Sequence, residues 1–452
     1  MTDDPARSTN QRRVAFCTFG CRLNQYDTES LNMLLKSSGR FRQVPLKSGN
    51  ADLFVVNTCS VTHQADASAR KAIRRIHSQH PDAQIVVTGC YAQRAPEELA
   101  DIDGVSLVIG AADRARIVEE LDTVPPGAKR IAVSPVEDAV KFLEVPITEM
   151  MERSRAYVKV QEGCNESCTF CIVPQTRGAS RSRDLAKVID QVNGLVESGY
   201  REIILTGVHV GDYGLDLETG TRDLGALIRS VLAIPGLERL RLSSIEPASI
   251  TEELIELVAN EEKFARHFHI PFQSGNDEIL ARMQRRYTVS EFRGLVERIA
   301  VAVPECGIGS DVICGFPGET DRHFQDTFDC LVELPITYIH PFTYSSRPGS
   351  AAEDFADQVA GDVKKRRTRA LKRLSAEKVQ TARERHVGAL LNVLPEREST
   401  CDLTSGSPVW RTAGWSDNYL KVELESDRPV PEGIVAARVL SISEHGLRAR
   451  VA

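Results

Sequence analysis

Apolar runs of strand length alternate with segments of helical periodicity over the first 121 residues. The strand-like runs span 14–19, 52–57, 84–88 and 105–110, and the helical segments span 28–37, 65–79 and 115–121. Strands that alternate with helices build a parallel sheet with helices on its faces. The pattern therefore predicts an amino-terminal α/β domain with a doubly wound parallel sheet over residues 12–125.

The same alternation resumes after a polar connector that contains the breaking sequence Pro125-Pro126-Gly127. Strand-like runs span 157–160, 202–206, 239–243, 267–271, 309–313 and 338–342, and helical segments span 185–198, 224–232, 251–259, 289–301 and 322–334. Six strand and helix units predict a partial (β/α)6 barrel over residues 150–380. Active residues of such barrels lie where the strands end.

From residue 387 the chain changes to short β-rich runs separated by glycine, proline and acidic residues. The runs span 389–394, 409–412, 420–424, 434–442 and 447–451. They predict a small antiparallel β-barrel of the oligonucleotide-binding kind over residues 383–452. Trp410, Trp415 and Tyr419 either stack on nucleic-acid bases or fill the core of this small domain.

The composition is that of a globular protein without a membrane segment. Hydrophobic residues make up 42% and charged residues 26% of the chain, and no apolar run approaches the length of a membrane span. The first residues, 1–13, are polar and lack the apolar region of a signal peptide. We therefore predict a cytoplasmic protein with no membrane association and a disordered leader over residues 1–12.

The net charge of −7 conceals one strongly basic segment. Residues 364–385 carry ten lysines and arginines against two glutamates, and they fall on a helix predicted over 363–386. This helix either presents a phosphate-binding face or is a solvated helix with basic side chains. The charge of this segment alone does not separate the two interpretations.

Three cysteines, Cys164, Cys168 and Cys171, lie in one short loop after the first strand of the predicted barrel. Three thiolates hold three irons of a cubane cluster, and the fourth iron then has no local protein ligand. A structural zinc site prefers four ligands, but the next cysteine along the chain is Cys306. A degenerate zinc knuckle or three ordinary thiols are the alternative interpretations.

The spacing CxxxCxxC, with the aromatic Phe170 before the last cysteine, resembles the signature of radical S-adenosylmethionine enzymes. The resemblance implies a [4Fe-4S] cluster whose open iron binds S-adenosylmethionine. It also implies a reducing electron donor, because an electron from the cluster cleaves that molecule to a 5′-deoxyadenosyl radical.

The resemblance assigns the barrel rim to S-adenosylmethionine, and the rim residues themselves are polar or glycine. The predicted contacts, which lie at strand ends or in the turns that follow them, are Gly207, Ser244, Glu246, Gln273 and Gly315. Each is also a common residue of a turn or helix cap, which is the alternative interpretation. Their shared position at strand ends favours a ligand site.

Three further cysteines, Cys21, Cys59 and Cys90, each follow a predicted strand of the amino-terminal domain. Sites in parallel sheets gather beyond the carboxyl ends of the strands. The three thiols can therefore converge and hold a second cubane with one open iron. The alternative is that they are buried free cysteines. Cys17 lies inside the first strand, where a packing role is the simpler interpretation.

The segments around these three cysteines resemble the motifs of the methylthiotransferase amino-terminal domain. The matching segments are 20–29 (GCRLNQYDTE), 57–61 (NTCSV) and 88–90 (TGC). The resemblance implies that the three cysteines hold an auxiliary [4Fe-4S] cluster that handles the sulfur to be inserted. The carboxy-terminal domain similarly resembles the TRAM domain, an RNA-binding module found in that family.

Segment 20–29 is most similar to the MtaB branch of the family, and Arg22 and Leu23, directly after Cys21, match neither of the two other branches. The MtaB branch modifies N6-threonylcarbamoyladenosine beside the tRNA anticodon. The resemblance implies two [4Fe-4S] clusters, S-adenosylmethionine, a sulfur source and a tRNA anticodon stem-loop as cofactors and partners. The product would carry a methylthio group at C2 of the adenine.

Three other functions remain open at the level of the sequence. Two keep the radical chemistry and change the target to isopentenyladenosine in tRNA or to an aspartate of a ribosomal protein. The third is a non-catalytic RNA-binding protein whose cysteines hold structural metal.

Arg177, Arg181 and Arg183 form a run shortly after the loop that contains Cys164, Cys168 and Cys171. We expect the guanidinium groups of this run to pair with the carboxylate of a threonylcarbamoyl substrate. Cys306, Cys314 and Cys330 fall within apolar patterns and are predicted core thiols.

Overall fold

A computed structural model describes residues 11–125, 127–139, 141–150, 154–218, 223–402 and 408–452. The described residues form two compact units. The first comprises Met1–Ile147, Glu162–Arg181 and Ser345–Glu353, and the second comprises Thr148–Gln161, Ser182–Tyr344 and Asp354–Ala452. Most of the leader predicted to be disordered lies outside the described residues. No helix within the described ranges is long and apolar enough to cross a membrane.

The first unit is built on a parallel sheet of six strands. Its strands are β1 (Arg12–Thr18), β2 (Phe41–Gln43), β3 (Leu53–Thr58), β4 (Gln84–Gly89), β5 (Val105–Ile109) and β6 (Arg130–Ala132). Its helices are α1 (Arg22–Ser37), α2 (His63–Gln79), α3 (Cys90–Arg94), α4 (Pro96–Ala100), α5 (Ile117–Thr123) and α6 (Val173–Arg177). The strand order is β2-β1-β3-β4-β5-β6.

Apolar side chains cover both faces of this sheet, as a parallel sheet between helices requires. Phe54 and Val87 belong to the core on one face, and Val55 and Val86 belong to the core on the other. All six residues of β3 are buried. The predicted doubly wound α/β domain is confirmed. The three-residue edge strands β2 and β6 were not predicted.

The second unit contains a partial barrel of six parallel strands. Two short strands, β8 (Gln161–Glu162) and β9 (Arg181–Ser182), pair with each other and are not strands of this barrel. The barrel strands are β7 (Arg155–Lys159), β10 (Glu202–Thr206), β11 (Arg239–Leu242), β12 (His267–His269), β13 (Gly307–Cys314) and β14 (Tyr338–Thr343). The strands pair in the runs β11-β10-β7 and β12-β13-β14, and single parallel bridges at Leu240–Phe264 and Ser244–His269 connect the two runs.

Helices cover the outside of the barrel. They are α7 (Leu185–Glu197), α8 (Leu224–Leu232), α9 (Glu252–Asn260), α10 (Asp277–Arg282), α11 (Val289–Ala302), α12 (Asp321–Glu333) and α13 (Gly361–Arg385). Phe268, Val312 and Ile339 pack with helix residues in the apolar core. Successive strand residues point to opposite faces, so the intervening side chains point into the barrel. The predicted (β/α)6 architecture is confirmed.

A five-stranded β-barrel ends the chain. The strands of this region are β15 (Leu390–Pro395), β16 (Thr400–Asp402), β17 (Val409–Ser416), β18 (Lys421–Ser426), β19 (Val435–Ile442) and β20 (Leu447–Val451). Five of these strands form the barrel in the order β15-β19-β20-β18-β17, which closes because β15 also pairs with β17. The remaining strand, β16, pairs with β17. The predicted barrel is confirmed, but it is not wholly antiparallel. β20 returns alongside β19 and pairs with β18 in parallel.

Within the second unit the carboxy-terminal barrel packs against the amino ends of the strands of the larger one. Arg239 and Arg241 pair with the buried Glu202 and donate hydrogen bonds to backbone carbonyls of the small barrel. Trp415 stacks on Tyr419 with ring centroids 4.6 Å apart, and Tyr419 also packs against His267. Trp415 and Tyr419 are only partly buried and their rings lie at the contact between the two barrels, so the structure favours a packing role for them over base stacking. The predicted limits of the three domains remain predictions.

Candidate active site

The structure brings Cys21, Cys59 and Cys90 to one edge of the amino-terminal sheet. Cys21 immediately precedes α1, Cys59 directly follows β3, and Cys90 begins α3 after β4. Strands β1, β3 and β4 are parallel neighbours, so their carboxyl ends meet at the same edge. Burial raises the pKa of the Cys59 thiol to about 12, and the nearby thiols of Cys90 and Cys21 contribute to that rise.

Two glycines make room for these thiols. Gly20 has a φ of +102°, and a Cβ built there would lie 2.7 Å from the Cβ of Cys59. Gly89 has a φ of +97°, and a Cβ there would lie 2.7 Å from the backbone nitrogen of Thr58 and closer still to its oxygen. Only glycine combines a left-handed backbone with so close an approach.

The second set of thiols lies on a tight loop between β8 and α6. The backbone N–H of Cys164 donates to the carbonyl of Gly178 at 3.1 Å, and that of Cys171 donates to the carbonyl of Cys168 at 3.0 Å. The N–H groups of Glu166 and Val173 lie 3.4 Å from the sulfurs of Cys164 and Cys171, respectively. Amide donors directed at sulfur stabilise thiolates, and hydrogen bonds to sulfur tune iron–sulfur clusters.

Arg177, at the end of α6, is the centre of a buried polar network in the first unit. Its guanidinium lies 2.8 Å from Glu162, 2.9 Å from Asp27 and 2.6 Å from the amide oxygen of Asn24. Arg114 pairs with the same two carboxylates. All four charged side chains are at most 5% exposed. The two positive and two negative charges balance, which a buried network requires.

The position of Arg177 contradicts the prediction that Arg177, Arg181 and Arg183 together bind a substrate carboxylate. Arg177 is buried and paired, so it cannot receive a substrate carboxylate. Arg183 is also buried and bonds to Gln191, and Arg181 donates to the backbone carbonyls of Ala179 and Arg177. The predicted carboxylate-binding cluster is therefore wrong. Spacing did not reveal this, because buried and exposed arginines have the same sequence pattern.

Arg177 also responds electrostatically to the cysteines. Burial alone lowers the pKa of its guanidinium, but Cys90, Asp27, Glu162 and Cys21 outweigh burial and raise that pKa well above its ordinary value. The side chain thus connects the loop of one cysteine set with the helix that follows Cys21. The sequence offered no signal for this connection, since its partners lie 15 to 153 residues away.

The five predicted S-adenosylmethionine contacts lie at the carboxyl ends of barrel strands or in the turns that follow them. Glu246 pairs with Arg285. Ser244 forms a backbone bridge to β12. Gln273 has a left-handed backbone, with a φ of 62°, and its N–H donates to the carbonyl of Asp311.

The two glycines of that set already have close protein neighbours. A Cβ at Gly207 would lie 2.9 Å from the side-chain oxygen of Gln161. The N–H of Gly315 donates to both carboxylate oxygens of Glu319 at 3.0 Å, and a Cβ there would collide with Lys364. The amide of Gly315 is therefore occupied by the protein. Whether any of the five residues contacts S-adenosylmethionine remains a prediction.

Four other described cysteines have packing roles. Cys314 and Cys330 are buried and Cys306 packs against the same core, as predicted. Burial raises the pKa of the Cys314 thiol to about 12, which keeps it neutral. Cys17 packs against the amino-terminal core. These four thiols are therefore set apart from the two groups of three.

Comparison with known proteins places the chain in a family. A family model described as Uncharacterized protein family UPF0004 matches residues 13–110, and the Radical SAM superfamily model matches residues 158–331. The threonylcarbamoyladenosine tRNA methylthiotransferase MtaB of Bacillus subtilis (strain 168) is 38% identical over 94% of this chain and 93% of its own length. The chain belongs to the MtaB-type radical SAM methylthiotransferases.

Other relatives agree with this family, and one solved structure shares the fold. The enzyme named MtaB of Aquifex aeolicus (strain VF5) is 38% identical over 86% of this chain and 93% of its own length. A tRNA-2-methylthio-N(6)-dimethylallyladenosine synthase of Cereibacter sphaeroides is 34% identical over 96% and 98%. The radical S-adenosylmethionine methyltransferase TsrM of Kitasatospora setae, at 19% identity, covers 76% of this chain and 77% of its own with a TM-score of 0.55, which supports the fold.

Proposed function

We propose that this methylthiotransferase adds a methylthio group to C2 of N6-threonylcarbamoyladenosine beside the anticodon of tRNA. The observation that carries the proposal is the pair of three-cysteine sets in one compact unit, with the Arg177 network between their loops. The names of the most similar relatives support the threonylcarbamoyl substrate over the isopentenyl one. Relatives named for the dimethylallyl substrate share 33–34% identity, so that substrate is the second candidate.

We propose that Cys21, Cys59 and Cys90 hold one [4Fe-4S] cluster and that the second cysteine set, Cys164, Cys168 and Cys171, holds another. The donor chemistry fits, because each set supplies three thiols and leaves one iron for a further ligand. When bound, the clusters and S-adenosylmethionine supply the electron, the methyl group and the radical chemistry that substitution at an aromatic carbon needs. The five rim residues remain our proposed contacts for S-adenosylmethionine.

A buried arginine and two backbone amides of the protein lie beside the two cysteine sets. Cys90 and Cys21 contribute to the raised pKa of Arg177, so its guanidinium is a positive charge beside that set and would offset the negative charge of a bound cluster. The amides of Glu166 and Val173 point at the sulfurs of Cys164 and Cys171, where hydrogen bonds to sulfur would tune a bound cluster. The buried network then fixes the loop of one set against the helix that follows the other.

An exposed basic stripe on α13 supports RNA as the substrate. Lys365, Arg369, Lys372 and Arg373 are exposed, and the other three each lie three or four residues from Arg369, so they share one face of the helix. A row of cations on one face suits phosphates of a nucleic-acid backbone. This supports the phosphate-binding interpretation of the segment over simple solvation. The RNA-binding role of the carboxy-terminal barrel, the electron donor, the sulfur source and the cytoplasmic location remain predictions.

The test compares two defined tRNA substrates. The protein would be reconstituted anaerobically with iron and sulfide and incubated with S-adenosylmethionine and a strong reductant. One substrate would carry threonylcarbamoyladenosine and the other isopentenyladenosine, with nucleosides identified by mass spectrometry. We expect the methylthio product on the first substrate. Product on isopentenyladenosine alone would transfer the assignment to the second candidate, and binding of zinc in place of two clusters would refute both.

A further inference from the structure

A cluster of two histidines and one aspartate lies inside the larger barrel, separate from every cysteine proposed to hold iron. His269, Asp311 and His340 belong to the adjacent strands β12, β13 and β14. Among the described residues this is the one group of three His, Cys, Asp or Glu side chains whose ligand atoms all lie within 4.8 Å of one another. The function proposed above does not use it.

The distances match donors that share one ion. His269 Nε2 lies 3.0 Å from Asp311 Oδ1, and His340 Nδ1 lies 3.5 Å from the same oxygen. The second distance exceeds the usual range of an N–H···O hydrogen bond. Two nitrogen or oxygen donors on one tetrahedral ion, each about 2.1 Å from it, lie roughly 3.4 Å apart. The His269 nitrogen and the Asp311 oxygen would move apart by about 0.4 Å, and the two imidazole nitrogens already lie within 4.8 Å of each other.

The three side chains of the cluster differ in their exposure to solvent, so the cluster has a buried side and an open side. The side chain of His269 is 10% exposed, that of Asp311 is 23% exposed, and that of His340 is 55% exposed. A bound ion would therefore be held by protein on one side and accessible on the other. This arrangement leaves coordination positions for water or for an oxygen atom of another molecule.

A second layer of contacts orients His269. Its Nδ1 lies 3.1 Å from the hydroxyl of Tyr338, and that hydroxyl lies 2.9 Å from Nε2 of His267. When His269 donates from Nδ1 and the tyrosine donates to His267, Nε2 of His269 remains unprotonated. A metal-binding imidazole requires this tautomer, and such outer contacts are usual around metal ligands.

We propose that His269, Asp311 and His340 form a binding site for a divalent transition-metal ion. Two imidazoles and one carboxylate on one side of an ion are typical of the facial triad that binds iron(II) and related metals. The carboxylate supplies negative charge, and the two imidazoles favour a transition metal over calcium and magnesium, which prefer oxygen ligands. The site uses none of the cysteines, so its occupancy can be measured separately from the clusters and from turnover.

The test measures metal binding to the full-length protein with both clusters loaded and oxidised, a state with little background in electron paramagnetic resonance. Mn²⁺ would be titrated by that method, and Zn²⁺ by equilibrium dialysis. We expect one additional ion per chain. Asp311→Asn and His340→Ala should each weaken the affinity at least tenfold.

His445→Ala is the matched control, because it removes an exposed histidine elsewhere in the same unit. It should leave the additional ion bound. Cluster absorbance and the thermal midpoint would be recorded for every variant, so that misfolding is recognised. Absence of binding by both ions, or equal binding by the wild type and Asp311→Asn, would overturn the proposal.

Discussion

At the scale of single residues, Arg177 shows how the environment of a side chain decides its role. Its sequence position favours substrate recognition, because it follows the cysteine loop and lies in an arginine run. In the fold it is buried between Asp27 and Glu162. A guanidinium in that position holds the segment after the cysteine loop against the helix that follows Cys21.

Replacement of Arg177 tests this structural role. Arg177→Ala leaves two buried carboxylates with Arg114 as their remaining charged partner, and loss of one partner from a buried pair costs about 3–5 kcal/mol. We expect a lower thermal midpoint and less iron per chain. On the threonylcarbamoyl substrate, kcat per loaded enzyme should fall with KM unchanged, because a buried and paired guanidinium makes no substrate contact.

Arg181→Ala provides the comparison, since Arg181 donates to backbone carbonyls and forms no part of the buried network. It should retain its iron. A raised KM for the threonylcarbamoyl substrate in Arg177→Ala, with kcat unchanged, would instead restore the idea of carboxylate recognition.

A second prediction concerns the glycine before Cys90. Gly89→Ala would force a methyl group against the backbone of Thr58, whereas Gly39→Ala meets nothing within 4 Å. Both positions have a positive φ, so both variants bear a backbone strain of about 1–3 kcal/mol, and a ψ of −169° places Gly89 in a region that is essentially limited to glycine. We expect Gly89→Ala to be clearly less stable in chemical denaturation and to lose iron. Equal stability of the two variants would show that the close approach is unimportant.

At the scale of elements, α13 illustrates a helix whose position the sequence predicted and whose orientation it did not. Segment 363–386 was predicted as a basic helix, and the structure has Gly361–Arg385. Leu371 and Leu374 pack into the core and Arg367 pairs with Glu319. The exposed cations of the stripe therefore fall on the opposite side, and charge counting alone could not separate the buried cation from the exposed ones.

The exposed side of α13 should contribute to tRNA binding through phosphate contacts. A variant with Lys365, Arg369, Lys372 and Arg373 changed to Ala should bind tRNA at least tenfold more weakly at low salt. Each lost contact should also reduce the salt dependence of the logarithm of the binding constant by about one unit. Fluorescence anisotropy at salt concentrations from about 50 to about 200 mM would measure both quantities.

Lys378→Ala is the control on the same helix, because the Lys378 ammonium group donates to the carbonyls of Val332 and Leu334. Its salt dependence should equal that of the wild type. If the fourfold variant binds tRNA as tightly as the wild type at every salt concentration, α13 is only a solvated helix.

At the scale of the whole molecule, the carboxy-terminal barrel packs against the larger barrel of the second unit and buries charged side chains there. Glu202, Arg239 and Arg241 are at most 2% exposed because strands of the small barrel cover them. Burial alone raises the pKa of Glu202, but Arg241 and Arg239 outweigh it and lower that pKa. The carboxylate is thus charged and needs both partners. An appended module with an independent surface would not require such a buried ion network.

Truncation tests this dependence. A chain that ends after His386 would expose Arg239, Arg241 and the apolar surface around them, so we expect aggregation or a large loss of thermal stability in the second unit. The milder Arg241→Met removes one partner of a buried carboxylate and should also lower the thermal midpoint. A truncated protein that unfolds at the wild-type temperature and still cleaves S-adenosylmethionine would contradict this view.

The sequence by itself determined the order of elements and the identity of the chemistry. Long apolar runs such as β3 and β10 were predicted within one residue at each end, because burial requires apolar residues along their whole length. Three-residue edge strands such as β2 and β16 have no such pattern, because they are extended only through hydrogen bonds to one neighbouring strand. The cysteine spacings likewise identified both sets of three thiols, because the thiols of one set each follow a strand and those of the other share one short loop.

Only the tertiary structure decided which polar side chains share a site. His269, Asp311 and His340 come from three different strands, and Arg177 meets Asp27 from 150 residues away. Nothing in local spacing distinguishes such residues from ordinary polar ones. Trp415 and Tyr419 are a similar case, because an aromatic side chain that stacks on a base and one that fills an internal contact look alike in sequence. The local sequence pattern determines which face of a helix or strand a residue occupies, whereas the tertiary fold determines which other residues that face contacts.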